Sequence, residues 1–289
     1  MNKKKLLLFL SIVGLLFLMS GCSMPTDAEG KIIQITDSTT FKYMMDNEGF
    51  FSAILVFPLA KCINFLVPKT SVAAAILIVS LTINAILLLF TWKQNVSQQK
   101  MQMLQSDIAR IQKKYEGRTD KNSQMRQASE IQSLYANAGI NPLGSLLVTF
   151  VQFPLLIAMY YAVQRSSYVA TGTFLGMQLS ITPLQAVATG SYGQFVIFLM
   201  MIGAQIVAMR VPMWLSERRA KMEAEKHYKR YVKAEENATM QTTMFIMPIF
   251  IGFIMLNWPT AMSFYYLISS LIMIGKSVLV DSFVAKKEK

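Results

Sequence analysis

The chain has 289 residues, 53% of them hydrophobic and only 15% charged, with a net charge of +12. Soluble domains carry about 25% charged residues, so the composition excludes an ordinary water-soluble enzyme. Two cysteines and a single histidine, His227, leave no disulfide framework, zinc cluster or histidine-based triad.

Met1–Cys22 reads as a lipoprotein signal peptide. Lys3, Lys4 and Lys5 are its basic start, Leu6–Leu18 its apolar core, and Met19-Ser20-Gly21-Cys22 resembles a lipobox. Cys22 is then the lipidated N-terminus on the outer face; an uncleaved anchor helix is the alternative. Cys62 reads as apolar filler. Residues 23–48 form a mixed-charge extracellular linker. Residues 49–68 are apolar apart from Lys61 and are interrupted by Pro58, which fits an interfacial helix on the outer surface better than a sixth span.

Uncharged runs then follow: 23 residues between Lys69 and Lys93, 34 between Glu130 and Arg165, 44 between Arg165 and Arg210, and 39 between Glu236 and Lys276. A bilayer core of about 30 Å takes roughly 20 apolar residues in a helix. The runs supply five spans, near 71–91, 142–164, 192–209, 242–257 and 261–280. Asn141 is a candidate cap before Pro142, and Asn257-Trp258-Pro259-Thr260 is the turn that splits the last run. The predicted fold is an all-α polytopic membrane protein with a five-helix domain over 69–289.

The connections fix the orientation. Lys93–Arg126 holds eight Lys/Arg, and Arg210–Lys233 another eight, whereas Ser166–Ser191 has no charge. Short Lys/Arg-rich loops stay in the cytoplasm, so the segments 93–140 and 210–241 and the basic tail 281–289 are inside. An outer N-terminus and five spans give the same answer. The basic loops also suit anionic lipid. Within 93–140, Val96, Met103, Ile108, Ile111 and Tyr115 recur on one face, and Met125, Ala128, Ile131 and Leu134 continue the pattern beyond Gly117–Asn122. A cytoplasmic helical hairpin is predicted, its halves packed together as a coiled pair.

Polar side chains inside the spans are the candidate site. At 100° per residue, Ser80, Asn84 and Thr91 fall within about 40° of one another, and Ser145, Thr149, Gln152 and Tyr160 within about 80°. Gln194 and Gln205 share a face of the third span, as do Ser263, Tyr266, Ser270 and Ser277 in the last. An uncompensated buried amide costs roughly 2–7 kcal/mol. A hydrated groove lined by Asn84, Gln152 and Gln205, with Ser80, Thr149, Tyr160 and Ser270 beside them, would remove that cost. Interhelical hydrogen bonding, at about 0.6 kcal/mol a pair, is the plainer alternative. The 21 methionines, among them Met240, Met244, Met247, Met255, Met262 and Met273, suit a surface for varied apolar partners or simple lipid contact.

From about residue 50 onward, the chain resembles the YidC/Oxa family of membrane protein insertases in its Gram-positive lipoprotein form. The likeness rests on Gly139-Ile140-Asn141-Pro142-Leu143-Gly144, Gln152-Phe153-Pro154, Ala158-Met159-Tyr160 and Leu179-Ser180 before Pro183. It continues in Met247-Pro248, Asn257-Trp258-Pro259, Tyr265 and Gly275. The resemblance implies an insertase without a cofactor, whose hydrophilic groove admits the polar flanks of nascent membrane proteins and releases their apolar segments into lipid. It also implies the Sec translocon and the ribosome as partners. The family usually carries an arginine in the first span, and Asn84 stands in its place here. The last span likewise has Thr260-Ala261 after Pro259, without the family's usual Gly. These departures point to a specialised paralogue less dependent on charge attraction. An assembly scaffold with weakened insertase activity is the alternative. A solute transporter fits less well, because the spans offer no charged pathway, and an enzyme fits least.

Overall fold

The computed structural model describes residues 24–140, 142–226 and 238–287, without the side chains of 142–151, 223, 224, 238–245, 247 and 287. Cys22 and the predicted signal peptide, Asn141, the side chains of Ser145 and Thr149, the side chains of Met240, Met244 and Met247, residues 227–237 with His227, and the last tail residues lie outside that description. The chain folds as two compact units, one comprising residues up to Val79 with Val151–Ile181, the other Ser80–Phe150 with Thr182–Lys289.

In the first unit, α1 (Phe41–Glu48) starts at Thr40, whose side chain accepts from Tyr43 N, and stops at Gly49, φ 84°. A π-helical turn over Ser52–Val56 leads into α2 (Phe57–Leu66). Pro58 cannot donate to the carbonyl four residues back. The turn before it widens instead, Phe57 N bonding to Ser52 O. A 3-10 turn, Val67–Lys69, follows. Past the long helix α6 (Pro142–Arg165) come α7 (Ser167–Thr171) and a minimal hairpin, β1 (Thr173–Phe174) and β2 (Met177–Gln178). Its turn residues Leu175 and Gly176 have φ of 50° and 76°, as a tight two-residue turn requires. The core is built from Ile35, Met44, Val56, Ile63, Met159 and Leu179. The segment expected to be a chargeless loop, 166–191, thus holds two short helices and a hairpin.

The second unit is dominated by long helices. They are α3 (Val72–Met103, which begins in the first unit), α9 (Tyr192–Lys226), α10 (Ala238–Met255) and α11 (Thr260–Lys287). At 1.5 Å per residue, α3, α9 and α11 run about 48, 52 and 42 Å, well beyond a bilayer core. The third predicted span, 192–209, therefore continues without a break through Pro212 into the basic segment, which is helical to Lys226 and not a loop there. Between the spans lie α4 (Gln105–Lys114), α5 (Lys121–Asn137) and the short α8 (Pro183–Ala188). The end of α5 is a Schellman cap: Gly139 N bonds to Ala136 O at 3.0 Å and Ile140 N to Tyr135 O at 2.9 Å. Gly139 takes φ 64° there, and Pro142 opens α6 two residues beyond Ile140.

One packing expectation is overturned. The sequence pattern places Val96 and Met103 in a coiled pair with the second half of the 93–140 segment. They pack instead with Val280 and Val284 of α11, alongside Trp92, whose ring meets Phe283 edge-on at 5.2 Å. Because α3 stays helical to Met103, its apolar stripe runs on past the span and meets the overhanging end of α11. Only Ile108 and Tyr115 of the first stripe are buried in the α4 region. Among the described residues, four stretches have the length and apolarity of a span: Ser52–Lys69, Val72–Met103, Tyr192–Met222 and Thr260–Lys286.

Candidate functional site

Three polar pairings are strung along α11. Ser270 Oγ donates to Gln205 Oε1 of α9 at 2.7 Å. Six residues on, Lys276 Nζ donates to Asn84 Oδ1 of α3 at 3.2 Å. Five residues further, Asp281 takes the guanidinium of Arg219 from α9 through both carboxylate oxygens, and Gln99 of α3 donates to its Oδ1 at 3.3 Å. At helical rise these levels are about 9 and 7.5 Å apart.

The lowest level is closed. Arg219 also donates to the Asp281 carbonyl, so cation, anion and amide satisfy one another above the Met103–Val280–Val284 cluster. The middle level is different. Asn84 is buried and its Nδ2 donates to Ser80 O one turn back at 2.9 Å, which fixes the amide with its oxygen toward Lys276. Thr91 and Ser277, expected on the same stripes, bond to carbonyls of their own helices, Leu87 O and Met273 O. That is how a hydroxyl is tolerated in lipid without a partner helix. Ser263 is buried, and its hydroxyl has no partner among the described residues.

Of the predicted groove residues, the structure joins Asn84 with Lys276 and Gln205 with Ser270, and places Ser80 one turn from Asn84, buried. Gln152 is exposed on α6 and Tyr160 is partly buried on it. Thr149 lies on the same helix, its side chain outside the described residues.

The first unit holds a separate polar cluster. Arg165 ends α6 with its side chain 1% exposed, paired to Glu48 through two bonds of 2.5 and 2.6 Å. Its Nε donates to Ile33 O at 2.8 Å, and its carbonyl accepts from Ile35 N at 2.7 Å. Next to it, Ser166 donates to Asn64 Oδ1, and Asn64 donates to Ile35 O, both at 2.6 Å. Every charge there is answered.

Outside the spans, Glu130 of α5 accepts from Lys114 Nζ at 2.7 Å and from Tyr115 Oη at 2.6 Å. The Lys114 hydrogen bond, then that of Tyr115, holds Glu130 below the usual carboxylate range, and the same carboxylate raises Lys114 and Tyr115.

The sequence profile described as 60Kd inner membrane protein matches residues 64–288. The chain belongs to that family. Three relatives align over 99% of this chain. Membrane protein insertase YidC 2 of Listeria innocua is 28% identical, with 87% of its own length covered. MisCA of Bacillus subtilis, also named a membrane protein insertase, is 25% identical with 94% covered. YidC of Oceanobacillus iheyensis is 27% identical with 100% covered. The resemblance to the YidC/Oxa insertases read from the motifs thus holds over nearly the whole chain. This 60Kd-family member is a multi-pass protein of the bacterial cell membrane, and its relatives' names do not favour the scaffold alternative.

Sequence reasoning missed Lys276, Arg219, Asp281, Glu48 and Arg165 as partners. Lys276 had a visible signal, being the only charge inside the predicted span 261–280. Intramembrane ionisable residues are functional candidates by default.

Proposed function

We propose that this membrane protein insertase receives the polar flank of a nascent membrane protein along the polar side of α11, while the client's apolar segment passes into lipid. The observation that carries the reading is the pair of side-chain contacts between spanning helices, Gln205 with Ser270 and Asn84 with Lys276. Packing alone does not call for them. Such a pair contributes about 0.6 kcal/mol, and a lysine in a span costs several times that unless it is solvated or paired. A hydrated path shared by client and protein removes the cost. Ser80, one turn from Asn84, would line it too.

The surrounding parts take supporting roles. Cys22 anchors the N-terminus outside through lipid. Residues 49–68 lie on the outer surface in spite of their span-like length, because Lys61 and Asn64 of α2 donate to the carbonyls of Asp37 and Ile35 in the polar linker. The basic α4–α5 segment, the far end of α9 and the tail face the cytoplasm, where they meet anionic lipid, the ribosome and the Sec translocon.

Complementation of cells depleted of their own insertase tests this reading. The native chain is expected to restore client insertion, and a Gln205→Leu, Ser270→Ala double variant at equal membrane abundance to restore it poorly. Full restoration by the double variant would contradict the polar path.

A further inference from the structure

One face of α9 changes character where the bilayer ends. At 100° per residue, Val196, Met200, Val207, Arg210, Trp214 and Arg218 fall within about 80° of one another, and all are exposed. The opposite face, with Met201, Ala208, Pro212 and Arg219, is buried. Before Arg210 the exposed stripe is apolar, and from there on it is basic and aromatic. From Tyr192, exposed at the start of α9, to Trp214 the helix climbs about 33 Å. That is close to the thickness of a hydrocarbon core, with an aromatic ring at each edge.

Arg218 stands at the inner edge with its charge unanswered. Its guanidinium lies over the Trp214 ring, 5.9 Å from the centroid, so the side chain leans back toward the membrane. Of its neighbours, Glu217 pairs with Lys221 at 3.0 Å, and Arg219 is held by Asp281. Among the described residues no carboxylate pairs with Arg218. Trp214 leaves 61% of its surface uncovered, which is costly for an indole in water and ordinary at a membrane interface.

Two other readings explain less. Topogenic bias asks only for positive charge on the inner side, and not for an arginine drawn back over a ring at the hydrocarbon edge. A basic and aromatic pair also suits single-stranded nucleic acid. A base stacked on Trp214 would have to enter the interface, displacing the lipid that the apolar stripe above it requires.

We propose that Arg218 and Trp214 form a seat for the headgroup of an anionic phospholipid in the inner leaflet. The planar guanidinium takes the phosphate through paired N–H donors, and the indole lies beside the glycerol region with its N–H as a donor. An anionic headgroup is preferred because a zwitterionic one brings its own cation to the phosphate. The inference rests on the cytoplasmic placement of the far end of α9 given above, and not on the client path. Its consequence for that path is depth. Gln205 lies about 14 Å outward of Trp214 along α9, so a lipid that grips Trp214 and Arg218 holds Gln205 inside the hydrocarbon core.

The test uses the full-length chain in vesicles, with Trp92→Phe and Trp258→Phe leaving Trp214 as the sole indole. Brominated acyl chains are carried by phosphatidylglycerol or, at the same overall composition, by phosphatidylcholine, and quenching of Trp214 reports which lipid sits against it. Phosphatidylglycerol is expected to be enriched roughly fivefold, the effect of one cation at the surface. Arg218→Gln should abolish the preference, and Arg218→Lys should keep part of it. Lipid retained after detergent extraction by the otherwise native chain and by its Arg218→Gln variant gives the same comparison with every tryptophan in place. No preference with Arg218 present, or one that Arg218→Gln leaves unchanged, would overturn the seat. So would Trp214 emission that answers to an RNA strand in phosphatidylcholine vesicles and not to phosphatidylglycerol, which would assign the face to nucleic acid. Both leaflets have one composition and no client is present, so these failures leave the orientation and the insertase reading standing. Failure of complementation would leave the seat standing.

Discussion

Arg165 and Lys276 are both cations bound by side chains of distant segments, and their surroundings differ: Arg165 is fully buried and Lys276 only half-buried. Arg165 is met by two carboxylate bonds from Glu48 and a backbone carbonyl, with Asn64 and Ser166 filling in beside it. Lys276 has one amide. A buried charge whose partners are complete fastens segments together. One that is half-buried with a single neutral partner leaves its other donors to solvent along the proposed polar path. The first unit uses its cation to fasten the linker and α1 to the end of α6. The second unit holds its cation open along α11.

The comparison can be broken at Arg165 first, where the largest effect is expected. Glu48→Ala strands a guanidinium in a closed interior and should cost about 3–5 kcal/mol, read as a lowered thermal transition of the detergent-solubilised protein. Little change would mean the pair is more solvated than its geometry shows. Asp281→Ala should cost about 2 kcal/mol, the range for a hydrogen bond to a charged group. A double-mutant cycle with Arg219→Ala should show coupling, because the two residues share one contact. Gly139→Ala places a Cβ on a residue at φ 64° and should cost about 1 kcal/mol. Faster amide exchange at the α5–α6 junction would report it.

The smallest effect concerns the α4–α5 segment. Glu130 sits below its ordinary value of 4.5, so its contribution is present above that value and is lost as pH falls through the lowered one. Lys114 sits above its ordinary 10.5, so its contribution is complete below that value and is lost only as pH rises through the raised one. With the intrinsic pH dependence of exchange divided out, protection across Gln105–Asn137 should therefore be flat through neutral pH and fall only in acid or in strong alkali. Loss of protection near pH 7 would contradict the tie.

What could be read in the sequence was local. Helix period and charge spacing located the cores of α3, α9 and α11, and Pro142 marked a helix start. Asn84, Gln205 and Ser270 stood out because amides and hydroxyls are costly in lipid. The partners did not show, since Lys276 with Asn84, Glu48 with Arg165 and Arg219 with Asp281 meet across 192, 117 and 62 residues. The face of Val96 and Met103 was identified, but not the helix it meets. Periodicity shows which side of a helix is apolar, and the length of α3 past the span decides what covers it.

The most direct measurement is photo-crosslinking between the native chain and a ribosome-stalled client that carries the reactive group in its polar flank. The position of the adduct reports which residues the flank meets. The account predicts adducts on α9 and α11 around Gln205 and Ser270, absent when the group sits in the client's apolar segment. Adducts confined to the basic segments Lys93–Lys121 and Lys221–Lys226 would contradict it.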